Sequence, residues 1–94
     1  MILFDSIYIH QGGGKTILNI LISNILDNNL DDYFFIIDKR YSDNLLKKIP
    51  KEKFSILSSS ELTRRNFYLK NYKNFNTFFC LANVPPPIYI NNKK

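Results

Sequence analysis

The chain has 94 residues and a mass of 11.1 kDa, is 45% hydrophobic and 22% charged, and contains only three Gly and four Pro. This is too apolar for a disordered segment and too poor in Gly and Pro for a fibrous or linker protein, and the length holds one domain (residues 1–94) with no room for a two-domain enzyme. The single Cys80 excludes a disulfide scaffold and a Cys-based zinc cluster and fits a reducing compartment, while the net charge of +5 is unevenly spread.

Residues 1–37 set Lys15 against Asp5, Asp27, Asp31 and Asp32, whereas residues 38–94 carry twelve basic and four acidic side chains. A basic half admits an anionic partner, although a solvated lysine-rich surface accounts for it as well. Met1–Phe4 has no basic region before it, so no signal peptide is expected. The longest apolar-rich stretch, Ile17–Leu26, is broken by Asn19, Ser23 and Asn24 and falls short of the ~20 residues that span a bilayer. The chain therefore reads as cytoplasmic.

In chain order, Met1–Ile9 is β-branched, aromatic and apolar and stops at Gly12-Gly13-Gly14, the pattern of a buried strand. From Lys15 the period becomes helical, with Ile17, Leu18, Leu21, Ile22 and Ile25 apolar, until Asp27-Asn28-Asn29 favours a turn. Tyr33–Ile37 predicts a second strand, closing on Asp38-Lys39-Arg40. Ser42 or Asp43 then caps a short helix that Pro50 stops. Phe54–Leu57 predicts a third strand. Ser58 and Glu61 have the spacing of a capping box, opening an amphipathic basic helix with Leu62, Phe67, Leu69 and Tyr72 among Arg64, Arg65, Lys70 and Lys73. Thr77–Ala82 is a fourth strand, followed by Asn83, Val84 and three prolines, and Ile88–Ile90 starts a fifth.

Strands alternating with helices predict an α/β fold: Rossmann-like, with a mostly parallel sheet and helices on both faces. Near-continuous apolar strands agree, because parallel strands are buried on both sides. Ligands of such sheets bind beyond the carboxyl ends of the strands, which directs attention to four loops. These are His10–Thr16, Asp38–Arg40, Ser58–Ser60 and Asn83–Pro85.

The glycine triplet is the sharpest signal. A strand-to-helix turn needs one glycine; three let a ligand approach the backbone and leave the helix N-terminus open to an anion. GGGKT also invites a phosphate-binding loop, but that pattern requires glycine at position 9, where the chain has Ile9, and Asp38 is the only acidic candidate for Mg²⁺. The dinucleotide pattern G-x-G-x-x-G fails at Ile17, although Asp38 lies at a distance suited to a ribose contact. His10 is the only side chain with an unperturbed pKa near neutrality and a candidate base, or a hydrogen-bonding loop residue. Cys80 reads as an inert buried thiol. Phe67, Tyr68 and Tyr72 between cations suggest a nucleic-acid surface, an ordinary helix with its aromatics packed on the sheet, or contact with the inner, anionic face of a membrane where a lipid-linked substrate would sit.

The segments MILFDSIYIHQGGGKTIL, FFIIDKR and FFCLANVPPP together resemble the start of bacterial glycosyltransferases with the two-Rossmann GT-B architecture, as found in capsular and surface polysaccharide synthesis. The resemblance implies a partial N-terminal, acceptor-side domain, with Gly12, Gly13, Gly14 and Lys15 lining the cleft near the transferred sugar and donor phosphates, and Asn83 on the acceptor side. It implies sugar transfer from a nucleotide-sugar donor to a saccharide or lipid-linked acceptor. The family's donor-holding glutamate pair has no match here, so no residue is assigned to catalysis, no metal or cofactor is called for, and activity of this chain alone is not expected. The alternatives are a small nucleotide-binding module using GGGKT and a non-catalytic basic module for RNA or protein. Weak stability or self-association is expected from an uncovered sheet edge.

Overall fold

The computed structural model describes residues 1–88, of which the last in a regular element is Cys80. The elements are β1 (Ile2–Ser6), α1 (Gly12–Asp27), β2 (Tyr33–Asp38), β3 (Phe54–Leu57), α2 (Glu61–Asn71) and β4 (Thr77–Cys80). Short 3₁₀ turns at Asn44–Lys48, Lys51–Lys53 and Tyr72–Asn74 join them. Apart from Ile88, the segment expected to begin a fifth strand lies outside the described residues.

The four strands form one parallel sheet in the order β3-β2-β1-β4. The chain steps one way from β1 to β2 to β3, then crosses back to place β4 on the far side of β1. Crossovers of one hand in opposite directions put their helices on opposite faces, and two separate cores result. On one face Leu18, Ile22 and Ile25 of α1 meet Phe4, Tyr33, Phe35 and Ile37. Phe4 and Phe35 stack there at 5.0 Å. On the other, Tyr68 and Phe67 of α2 meet Leu3, Ile7, Ile36 and Phe34. The α/β fold, with a parallel sheet and helices on both faces, is as the pattern predicts.

Caps and helix faces differ in detail from the sequence expectation. α1 begins at Gly12 rather than Lys15, because Gly12 adopts a φ of 68° and turns the chain directly into the helix. Asp43 does cap, accepting from the Leu45 N–H, but the helix it starts is a 3₁₀ turn. The N-cap of α2 is Ser60, whose Oγ accepts from the Thr63 N–H; Ser58 instead reaches the Thr63 hydroxyl at 3.1 Å.

The buried stripe of α2 needs a larger correction. Leu62 and Leu69 point outward, 65% and 49% exposed, whereas Arg64 and Tyr68 are fully buried. At 100° per residue Phe67 stands ~140° from Leu62 around the helix, so the four apolar residues never formed one face. The stripe that packs is Arg64, Phe67, Tyr68 and Asn71, spaced i, i+3, i+4 and i+7.

Candidate functional site

Strand order reverses between β1 and β4, and such a switch point opens a crevice beyond the strand ends. β1 and β4 are paired neighbours, so the loops that leave them, 7–11 and 81–87, emerge side by side. The first feeds the N-terminus of α1. Gln11 at its N-cap makes no side-chain capping hydrogen bond, and the first turn carries no acidic residue, so among the described residues no side chain compensates the first N–H groups and the positive end of the helix dipole.

The three glycines of this turn have different reasons to be there. Gly12 needs glycine for its left-handed φ of 68°. A Cβ at Gly14 would stand 3.1 Å from the Ile9 Cδ1, a contact the flexible end of Ile9 can relieve. Gly13 has neither reason: its φ is not left-handed, and nothing lies within 4 Å of where a Cβ would be. Asn83, at the turn after β4, also has a left-handed φ, 61°, and its N–H donates to the Cys80 carbonyl at 3.2 Å. Asn tolerates this conformation better than other side-chain-bearing residues.

Lys15 is turned toward the other side of β1. Its Nζ lies 3.9 Å from Asp43 Oδ2 and 5.9 Å from the centre of the Tyr41 ring. Tyr41 donates to Asn19 Oδ1 at 2.7 Å, and burial pushes its phenol up to about 12. The glycine turn and Asn83 therefore share the switch point, while Lys15 belongs to the flank over β2.

Beneath the switch point lies a polar network that sequence reasoning missed. Asp5, 2% exposed on β1, accepts from Arg64 Nε at 2.8 Å, the Tyr68 hydroxyl at 2.7 Å and the Ile7 N–H at 3.1 Å. Arg64 Nη2 donates to the carbonyls of Val84 and Pro85 at 2.8 and 3.0 Å, tying the proline loop to α2 and β1. Nη1 lies 3.6 Å from Glu61 Oε2 and, among the described residues, is buried without a hydrogen bond. Burial opposes the charge of Arg64, but the adjacent Asp5 carboxylate outweighs it and holds the guanidinium pKa up. The Tyr68 phenol is raised, by burial first and then by Asp5. Burial also pushes up the Cys80 thiol, in keeping with an unreactive cysteine.

The signal available in the sequence was Asp5 itself. A carboxylate in a strand covered on both sides needs a buried partner, and one cation of the "basic" helix supplies it. Arg64 and Tyr68 are thus unavailable as a nucleic-acid surface; of that helix Arg65, Lys70 and Leu69 remain exposed.

At the end of β2 the fully buried Asp38 accepts from the Arg40 backbone, Arg40 Nε and Nη2, and the Tyr8 N–H, at 2.7–3.0 Å. Burial acts to raise its pKa, but these donors prevail and lower it. Both carboxylate oxygens are committed to this structure, which leaves Asp38 poorly placed to hold Mg²⁺ or a ribose. Tyr8 adopts a φ of 78°, a strained conformation for a non-glycine residue. Its hydroxyl donates to Glu61 Oε1 at 2.9 Å, and that bond raises its pKa. Among the described residues no three His, Cys, Asp or Glu side chains gather as a metal site, and no helix is long and apolar enough to cross a membrane. No protein-family model matches the chain, and neither a curated protein nor a solved structure matches it significantly.

Proposed function

We propose that the chain forms the acceptor-side half-site of a sugar transferase, with the switch point between β1 and β4 receiving a phosphate-bearing, hydroxyl-rich ligand. The observation that carries this reading is Gly13. Glycine in a helix costs about 1 kcal/mol relative to alanine, and neither backbone conformation nor packing requires it there. Close approach of a ligand to the bare first turn of α1 gives that glycine a reason.

In this reading Gly12, Gly13 and Gly14 line the cleft, Asn83 faces it from the proline loop, and Lys15 contributes charge from the flank. Arg64 positions the proline loop from below. The reaction is transfer of a sugar from a nucleotide-sugar to a saccharide or lipid-linked acceptor in surface polysaccharide synthesis. Among the described residues no side chain is placed as its base or donor ligand, and the reading leaves most of donor binding to a part other than these residues. Residence at the cytoplasmic face of an anionic membrane fits the outer side of α2, where exposed Leu62 and Leu69 accompany Arg65 and Lys70, with Lys73 in the turn that follows.

The test is an amide-resolved NMR titration of the 94-residue protein with farnesyl phosphate, UDP-glucose and Mg-ATP in separate arms. Saturable shifts at Gly12–Lys15 and Asn83 with farnesyl phosphate or UDP-glucose, abolished by Gly13→Glu, support the reading. Micromolar Mg-ATP binding abolished by Lys15→Ala would transfer the site to a nucleotide-binding module. Silence in all arms would refute both.

A further inference from the structure

A concavity lies at the opposite end of the sheet, where the strands begin. It has a volume of ≈ 290 Å³, about twice the ~150 Å³ that suffices for a benzene ring in a protein interior. Its floor is apolar, made by Ile2 and Phe4 of β1, Ile25 of α1 and Tyr33 of β2, and its mouth is set by Asp31 and Asp32.

The mouth carries charges of both signs. α1 ends here at Asp27 with no basic residue in its last turn, so the negative end of the helix dipole is not offset by its own sequence. Two cations of the chain already use this end. Lys53 Nζ sits 5.4 Å above the Tyr33 ring and donates to the Asp31 carbonyl, and the Met1 amino group is 3.7 Å from Asp32 Oδ1. The Asp31 carboxylate forms no ion pair and accepts no hydrogen bond among the described residues. The Tyr33 phenol registers the local field: burial raises its pKa first, and the Glu52 and Asp31 charges raise it further.

We propose that this concavity binds a small amine with an apolar body, the body resting on Ile2, Phe4, Ile25 and Tyr33 and the ammonium group paired with Asp31. The apolar floor alone would take any hydrophobe of suitable size. The unpaired carboxylate at its mouth selects the cation, against the overall +5 charge of the chain, which repels amines elsewhere on its surface.

The test uses the 94-residue protein with 2-phenylethylamine, its neutral analogue 2-phenylethanol and the anionic 3-phenylpropanoate, followed by amide NMR at low salt. The amine is expected to shift the amides of Ile25 and 29–33 saturably. The alcohol should bind about fivefold more weakly, the size of effect an exposed ion pair supplies, and the carboxylate should not bind. Asp31→Asn is expected to reduce amine affinity to that of the alcohol, while Asp27→Asn, outside the lining, should change it less than twofold. The proposal is overturned if no probe binds at these amides, if alcohol and amine bind alike, or if Asp27→Asn matches Asp31→Asn. Shifts of the same amides with protein concentration alone would also overturn it, by assigning the concavity to a second copy of the chain.

Discussion

Adjacent arginines on α2 offer a sharp test of the buried network. Arg65 is exposed, whereas the Arg64 side chain is 1% exposed and bonded to an Asp5 side chain that is 2% exposed. Arg64→Ala leaves the Asp5 carboxylate buried with the Tyr68 hydroxyl, the Ile7 N–H and the weak Cys80 thiol as its donors, and it frees the Val84 and Pro85 carbonyls. Breaking one side of such a buried pair costs about 3–5 kcal/mol, a large share of the roughly 5–14 kcal/mol expected for a domain of this size. Arg65→Ala should stay within about 0.5 kcal/mol. Urea denaturation measures both: with a slope of ~1–3 kcal/mol/M, the Arg64 variant should lose at least about 1 M in midpoint and the Arg65 variant little. Where Arg64→Ala fails to fold, the double change Asp5→Leu with Arg64→Met removes both charges and should recover part of the stability, the Tyr68 hydroxyl and Ile7 N–H losing their acceptor. Similar midpoints for the two single variants, or a double variant no better than Arg64→Ala, would refute the buried-pair account.

Gly13→Ala should stabilise the chain by about 0.4–1 kcal/mol, because the site accepts a Cβ, whereas Gly12→Ala should cost about 1–2 kcal/mol through its left-handed φ; thermal melts compare them, and loss of ligand binding in the more stable Gly13 variant would separate function from folding. The lowered pKa of Asp38 contributes stability that is present above the unfolded value of 3.8 and disappears as pH falls through the lower folded value. Asp38→Asn should therefore flatten the acid limb of a stability–pH curve, and an unchanged limb would count against the Arg40 pairing. The Tyr41 phenol is raised from 10.0 to about 12, so its contribution is intact below pH 10 and is lost as pH rises from 10 through 12. Tyrosinate absorbance should accordingly lag for Tyr41 and Tyr68 until the protein unfolds. Phe79, 54% exposed on β4, which is an edge strand among the described residues, stands in a strand without charge or proline; sedimentation should show less self-association for Phe79→Lys than for the parent chain.

Much of the architecture was written in local pattern. The apolar runs at 33–37 and 54–57, the helical spacing from Leu18 to Ile25 and the breaks at Asn28 and Pro50 give strands, helix and turns because each depends on a few consecutive residues. Their alternation implies the parallel sheet, since parallel strands need crossover connections. The glycine turn and the proline loop were legible as well, and strand order brought them to one switch point.

What the sequence could not decide was which side chains meet across long separations. Arg64 and Arg65 look alike in one dimension. Only packing α2 over Asp5, 59 residues earlier, buries one and leaves the other in water. The same contact fixed the rotation of the helix and turned Leu62 and Leu69 outward, against an expectation drawn from hydrophobicity alone. Asp38, readable as a ligand-binding group, was taken up by Arg40 and the Tyr8 N–H. Burial supplies the reason: a charge withdrawn from water must be neutralised by a specific neighbour, and tertiary structure chooses that neighbour.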